Sequence, residues 1–160
     1  MLTTKKVGIA DMKMLRVEGT LVTYALGSCV GICLYDPVIK LASMIHIMLP
    51  TAPQGSNANL FKYADTGITE TLRKMEAFGA VRRRIYSKIA GGAKMFEIQG
   101  DNNFGNIGER NIETVRMKLQ ENRIIIKSYD VGGTSARTLF FNAENGEAMV
   151  KSFGHAEKKL

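Results

Sequence analysis

The chain has 160 residues, of which 45% are hydrophobic and 23% charged, and its formal net charge is +7. These values predict one globular domain spanning residues 1–160, and they exclude disordered, collagen-like and coiled-coil proteins. The apolar stretches are too short to cross a bilayer, and the first residues lack the apolar core of a signal peptide, so neither membrane insertion nor secretion is expected.

The first part of the chain predicts three strands and a loop. The β-branched and apolar segments predict strands over Leu21–Tyr24, Val30–Tyr35 and Leu41–Leu49, with a turn at Asp36-Pro37. The polar segment Thr51–Asn59 that follows predicts a loop.

The second part of the chain alternates helices and strands. Helices are predicted over Asp65–Phe78 and Asn106–Glu121, and strands over Arg84–Ala90, Arg123–Tyr129, Arg137–Asn142 and Glu147–Phe153. Asn145-Gly146 predicts a hairpin between the last two strands. The whole predicts an α/β or α+β layered sandwich of mostly antiparallel strands with two main helices.

The positive charge favours acidic partners but shows no nucleic-acid site. The densest basic cluster, Arg82–Arg84, is only three residues long and has no interleaved aromatic residues. It is therefore interpreted as a solvated junction between a helix and a strand, and no nucleic-acid partner is expected.

Two cysteines, Cys29 and Cys33, are the chain's only thiols. On one strand their Cα atoms would lie about 13 Å apart, beyond the roughly 7 Å that a disulfide permits. Free thiols fit a reducing cytoplasm, which is the expected location. With only two histidines besides, the ligands are too few for zinc, and no metal is expected.

The turn at Asp36-Pro37 suggests that Cys29 faces His46. If Pro37-Val38 is a two-residue loop, Asp36 pairs with Ile39, and the same register places Cys29 opposite His46 at about 4.5–5.5 Å between Cβ atoms. A longer turn, which the sequence also allows, would break this pair.

A thiol beside an imidazole has a clear chemical use. The imidazole can remove the thiol proton and produce a nucleophile, and backbone N–H groups around Gly27 and Ser28 can bind an oxyanion. The hydroxyl groups available to orient the histidine are those of Thr23, Ser28 and Ser43. A buried apolar cysteine and a satisfied core histidine remain the alternative interpretation.

Several ordered motifs together resemble the family of chemoreceptor glutamine deamidases called CheD. The motifs lie between about Gly19 and Phe141, and they are Leu26-Gly27-Ser28-Cys29-Val30, His46-Ile47-Met48-Leu49-Pro50, Tyr63-Ala64-Asp65, Lys88–Phe96, Ile107-Gly108-Glu109-Arg110-Asn111 and Asp130-Val131-Gly132-Gly133. The similarity implies a layered fold similar to the catalytic domain of cytotoxic necrotizing factor toxins.

The resemblance also implies a site and a reaction. Cys29 corresponds to the nucleophile, His46 to the general base and acid, and Thr23 to the residue that orients His46. The implied reaction converts glutamine side chains of methyl-accepting chemoreceptors to glutamate and releases ammonia, without a cofactor. The implied partners are receptor helices and a CheC-type response-regulator phosphatase, so the alternative function is an adaptor that stimulates this phosphatase.

Three positions depart from the pattern of the family. Ala25 occurs where many members have threonine, Ala90 where phenylalanine is frequent, and Ala136 where glycine is frequent. These departures leave Cys29 and His46 unchanged.

Overall fold

The computed structural model describes residues 3–55, 59–95 and 106–160. In these ranges the chain forms ten strands and two α-helices, which confirms the predicted mixed α and β class. The strands are β1 (Thr4–Lys6), β2 (Asp11–Arg16), β3 (Thr20–Leu26), β4 (Val30–Asp36), β5 (Leu41–Ile47), β6 (Tyr86–Gly91), β7 (Ile125–Val131), β8 (Arg137–Asn142), β9 (Ala148–Ser152) and β10 (Lys158–Lys159). The helices are α1 (Ala64–Ala77) and α2 (Ile107–Glu121).

The strands form two five-stranded sheets. The first sheet has the order β1-β3-β8-β9-β10, and the second has the order β2-β5-β4-β6-β7. Neighbouring strands are antiparallel except in the pairs β1–β3 and β6–β7, so the prediction of mostly antiparallel strands is confirmed. The predicted hairpin at Asn145-Gly146 is confirmed as the connection between β8 and β9.

The first sheet, the second sheet and the two helices form three layers, and an apolar cluster lies between each neighbouring pair of layers. One cluster lies between the sheets and includes Leu21 and Phe141 from the first sheet and Met44 from the second. The other lies between the second sheet and the helices, where Ile68 and Val115 are fully buried. Because the second sheet is covered on both faces, every residue of β4 and β5 is buried. This double burial explains why the two strands have nearly continuous apolar sequences.

Three strands were not predicted from the sequence. β1 and β10 are exposed edge strands of three and two residues, and their lysines give no alternating apolar pattern. β2 pairs with β5 at one edge of the second sheet and buries only Met12 and Leu15. Short or weakly alternating edge strands of this kind carry little sequence signal.

The connection between β4 and β5 is longer than the two-residue loop that was predicted. Asp36 pairs with Leu41, which leaves a four-residue turn over 37–40. The Val38 N–H donates to the Asp36 carboxylate at 3.0 Å, and Lys40 adopts a left-handed conformation with φ of 52°. Of the two turns that the sequence allows, the longer one is therefore observed, because the side chain of Asp36 organises a wider turn.

The arginine cluster lies at the predicted junction between α1 and β6, where it forms a short 3₁₀ turn. Arg84 nevertheless binds the fully buried carboxylate of Asp36 through Nε at 3.1 Å and a terminal nitrogen at 2.9 Å. Arg82 is paired with Glu76 on α1. The interpretation of the cluster as solvated is therefore wrong for Arg84.

We expect Asp36→Ala to lower the free energy of unfolding by about 3 kcal/mol. Burial alone would raise the pKa of Asp36, but hydrogen bonds from Arg84 and the backbone of Val81 and Val38 hold it below its ordinary value. Removing the carboxylate leaves these donors and the Arg84 charge without a partner. Urea denaturation at neutral pH measures the loss. Glu147→Ala, which removes an exposed ion pair, is the control, and equal stability of the two variants would contradict the prediction.

Neither described helix has the length and hydrophobicity to cross a bilayer.

Candidate active site

A tight loop between β3 and β4 carries Cys29. Ala25 adopts a left-handed conformation with φ of 57°, and its carbonyl accepts a hydrogen bond from the Gly27 N–H at 2.9 Å. The chain therefore turns sharply just before the cysteine. Cys29 is half-buried, whereas Cys33 is fully buried in β4, and both are free thiols as predicted. Cys29 is thus the accessible thiol of the pair.

The carbonyl groups of this loop are all held by neighbouring elements. The Ala93 N–H donates to the carbonyl of Gly27 at 2.8 Å, and the Gly92 N–H donates to the carbonyl of Cys29 at 2.7 Å. The side-chain amide of Asn111 donates to the carbonyl of Ser28 at 2.9 Å. Gly91 must lack a side chain, because a Cβ there would lie 2.2 Å from the Cys29 carbonyl oxygen. The loop is therefore fixed by close backbone packing.

One N–H group of the loop donates to another residue, and two do not. The Gly27 N–H is used by the turn at Ala25, so it is not available as an oxyanion donor. The N–H groups of Ser28 and Cys29 donate to no other residue in the ranges that the structure describes. The predicted oxyanion role of Gly27 and Ser28 stays a prediction, and of these two residues only Ser28 has an N–H group without another described partner.

His46 lies in β5 without exposed surface, and its Nδ1 is 2.7 Å from Thr23 Oγ1 in β3. The Thr23 hydroxyl donates its single hydrogen to the Val7 carbonyl at 2.7 Å. At the contact with His46 the hydroxyl can then only accept, so the proton of the imidazole is on Nδ1. Nε2 is left as an acceptor, and it is buried with no hydrogen-bond partner in the described part of the chain.

The register of β4 and β5 does not place Cys29 opposite His46. His46 pairs with Gly31, so the predicted direct facing of Cys29 and His46 is wrong. Cys29 lies two residues before Gly31, in the bend that precedes β4, and packs against the cluster between the sheets, where His46 also contacts Thr23. Both side chains therefore lie at the layer between the two sheets.

Burial favours the neutral forms of both groups. It lowers the pKa of His46 to about 4 and raises the pKa of the Cys29 thiol above its ordinary value. At neutral pH the resting site therefore holds a thiol and a neutral imidazole rather than an ion pair. A reaction that needs the thiolate must transfer the proton to His46 as the sulfur attacks.

The depressed pKa of His46 predicts a stability change in mild acid. In the unfolded chain His46 has its ordinary pKa of 6.5 and binds a proton below that pH, whereas in the folded protein His46 binds a proton only near pH 4. The unfolded state binds more protons in this window, so stability is lost as pH falls from 6.5 to 4, by up to about 3 kcal/mol. Urea unfolding across this range measures the slope. His46→Asn should flatten it, the exposed His155→Asn control should not, and equal slopes in both variants would contradict the assignment.

Sequence reasoning missed three residues that build this site. Val7 contributes only a carbonyl, which no side-chain pattern reveals. Asn111 belongs to a motif that had been noted without a role. Arg137 donates to the carbonyls of Gly91 at 3.0 Å and Gly132 at 2.5 Å, and so joins two glycine turns behind the cysteine loop.

Within residues 3–55, 59–95 and 106–160, no three His, Cys, Asp or Glu side chains converge as metal ligands would. Cys33 is buried among apolar residues between the sheets, and His155 is exposed. The described residues therefore offer no ligand set for a metal at this site.

The three departures from the family pattern lie around the site without altering it. Ala25 occupies a left-handed conformation that a β-branched threonine would find more costly. Ala90 is buried between the sheets, and Ala136 is exposed beside Arg137, whose hydrogen bonds are kept.

The fold and the site define a layered α+β protein with a half-buried thiol and a buried imidazole between its sheets. The family model for CheD chemotactic sensory transduction matches residues 48–152. The chain belongs to the CheD family, which confirms the resemblance drawn from the motifs.

Relatives match this chain over nearly their whole length. A probable chemoreceptor glutamine deamidase CheD of Syntrophomonas wolfei is 49% identical over 96% of both chains. The chemoreceptor glutamine deamidase CheD of Halalkalibacterium halodurans is 44% identical over 97% of both. A structure of the Bacillus licheniformis hypothetical protein YfiH has a TM-score of 0.43 and 16% identity, covering 69% of this chain and 46% of that one. A likeness this weak does not bear on function.

Proposed function

We propose that the chain is a protein-glutamine deamidase that converts chemoreceptor glutamines to glutamate and releases ammonia. Family membership and the names of the relatives support this substrate class. The observation that carries the chemistry is the buried His46, whose Nδ1 is bound to Thr23 and whose Nε2 has no partner in the described part of the chain. A single domain over residues 1–160 would hold all the groups required.

The first step is attack on the side-chain amide. Nε2 of His46 removes the proton of Cys29 as the sulfur bonds to the amide carbon, and the carbonyl π electrons move to oxygen. The N–H groups of Ser28 and Cys29 bind the resulting oxyanion. Thr23 keeps the imidazole in the tautomer that this step needs, because its oxygen accepts from Nδ1–H.

The second step expels ammonia and regenerates the enzyme. Protonated His46 donates to the amide nitrogen as the C–N bond breaks, which leaves a thioester on Cys29. Water then attacks the thioester, His46 accepts its proton, and the sulfur leaves as glutamate is released. Because burial disfavours imidazolium, His46 returns its proton readily at each step.

The test is incubation of the protein with the cytoplasmic part of a chemoreceptor. Intact-mass analysis should show the increase in receptor mass that results when OH replaces an amide NH₂. The amount of ammonia released should match the number of converted glutamines. Tandem mass spectrometry then identifies the sites. A receptor that contains accessible glutamines and keeps its mass after prolonged incubation would contradict the proposal.

A second function is an adaptor that binds and stimulates a CheC-type phosphatase. Exposed apolar side chains near the cysteine loop favour a helix-binding surface there: Met95 lies over Gly27, and Tyr24 is on the strand that leads into the loop. A receptor helix and a phosphatase helix would then compete for one surface. Pull-down of the phosphatase by the parent protein, with receptor fragment as competitor, tests this function.

A further inference from the structure

Asn111, a fully buried residue of α2, links the cysteine loop to the end of the strand that carries the histidine. Its Nδ2 lies 2.9 Å from the carbonyl oxygen of Ser28 and 2.9 Å from that of Met48. Ser28 directly precedes Cys29, and Met48 follows His46 by two residues. One side-chain amide therefore holds both segments in register.

The orientation of this amide follows from its partners. Both are carbonyl oxygens, which only accept, so the NH₂ group must face them and Oδ1 must point away. Oδ1 is buried, and in the described part of the chain it has no hydrogen-bond partner. An unpartnered buried acceptor lowers stability, so the two donated hydrogen bonds are the contribution of the asparagine at this position.

The bond to Ser28 also determines where the next N–H points. In a planar trans peptide the carbonyl of Ser28 and the N–H of Cys29 point in opposite directions. Because Asn111 holds this carbonyl on the side of α2, the Cys29 N–H is turned to the other side, where it donates to no other described residue. Ala93 holds the Gly27 carbonyl in the same way and so orients the Ser28 N–H.

We propose that Asn111 is a positioning residue that orients the Cys29 N–H as an oxyanion donor for the deamidation; this role rests on the proposed function. Asn111 touches no reacting atom and acts through the backbone of Ser28. Its bond to Met48 keeps the same loop aligned with the strand of His46. Loss of the amide should impair oxyanion binding, whereas the N–H groups of Gly92 and Ala93 still hold the loop and keep the thiol in place.

The test compares two reactions of the same thiol in Asn111→Leu, which keeps the side-chain shape and removes both donors. Deamidation forms an oxyanion, so kcat should fall about 10- to 100-fold with KM little changed. Alkylation of Cys29 by iodoacetamide displaces iodide at a saturated carbon and forms none, so its rate and pH dependence should stay unchanged. Asn122→Leu, which removes a donor to Lys118 at the far end of α2, is the control and should keep both rates.

If Asn111→Leu fails to fold, which circular dichroism would show, a second variant tests the same role. Asn111→Ser keeps a single hydroxyl donor for the two carbonyls, so its kcat should fall below that of the parent. Unchanged kcat in the folded variants, or a parallel fall of deamidation and alkylation, would overturn the positioning role. A parent protein that is alkylated but deamidates no receptor contradicts the proposed function itself, so the two failures are distinguishable.

Discussion

Replacement of Cys29 by alanine is expected to abolish release of ammonia from receptor glutamines, with kcat lowered at least about 10⁴-fold. The sulfur is the group that would form the thioester, and no neighbouring side chain in the described loop replaces it. Coupled measurement of ammonia, together with the receptor's intact mass, follows the loss. The variant should still bind a CheC-type phosphatase if the adaptor function also holds, because the backbone of the loop is held by its carbonyl bonds.

The second cysteine provides a matched control for this prediction. Cys33 is fully buried in β4, so Cys33→Ala should keep the activity of the parent and cost only about 1 kcal/mol of stability. Conversion of receptor glutamines by the Cys29→Ala protein would show that the nucleophile has been assigned to the wrong residue. Equal loss in the two variants would indicate a general structural effect instead.

Thr23→Val is expected to lower kcat on the order of 10³-fold with the thiol still present. Valine has nearly the shape of threonine, but it leaves the Nδ1–H of His46 without an acceptor and the Val7 carbonyl without a donor. The imidazole can then adopt the tautomer with its proton on Nε2, which cannot act as a base, and loss of the required tautomer costs a triad up to about 10⁴-fold. Nitrogen chemical shifts of His46 report the tautomer directly.

Thr71 supplies the corresponding control. It is also fully buried, but its hydroxyl has no hydrogen-bond partner among the described residues. Thr71→Val should therefore keep the activity and leave the stability equal or slightly higher. If Thr23→Val kept the kcat of the parent and the Nδ1–H tautomer, the orienting role of the hydroxyl would be wrong.

Much of the fold could be predicted because the central layer has a strong pattern. Strands β4 and β5 are continuous apolar runs, and the helices show regular spacing of Ile68 and Leu72 or Val115 and Leu119 on one face. The edge strands could not be predicted, since two or three exposed residues such as Lys158–Lys159 pair only because a neighbouring strand offers backbone partners.

The candidate site was predicted in its residues but not in its geometry. Cys29, His46 and Thr23 were identified through their motifs, yet the register that joins them depends on a turn whose width is determined by the Asp36 carboxylate. Asn111 could not be given a role because it comes from a distant helix and acts on the backbone. Its contacts exist only after the layers have packed.

The carbonyl of Val7 receives the hydroxyl hydrogen of Thr23 and thereby decides which way that hydroxyl faces the imidazole. Val7 is buried in the cluster between the sheets, so only residues that fit there can replace it, but each of them offers the same carbonyl. A deletion that shortens the connection between β1 and β2 has a larger effect, because it removes the Val7 carbonyl from its place beside Thr23. A change in length there is therefore expected to harm the site more than replacement of Val7 by another apolar residue that fits the core.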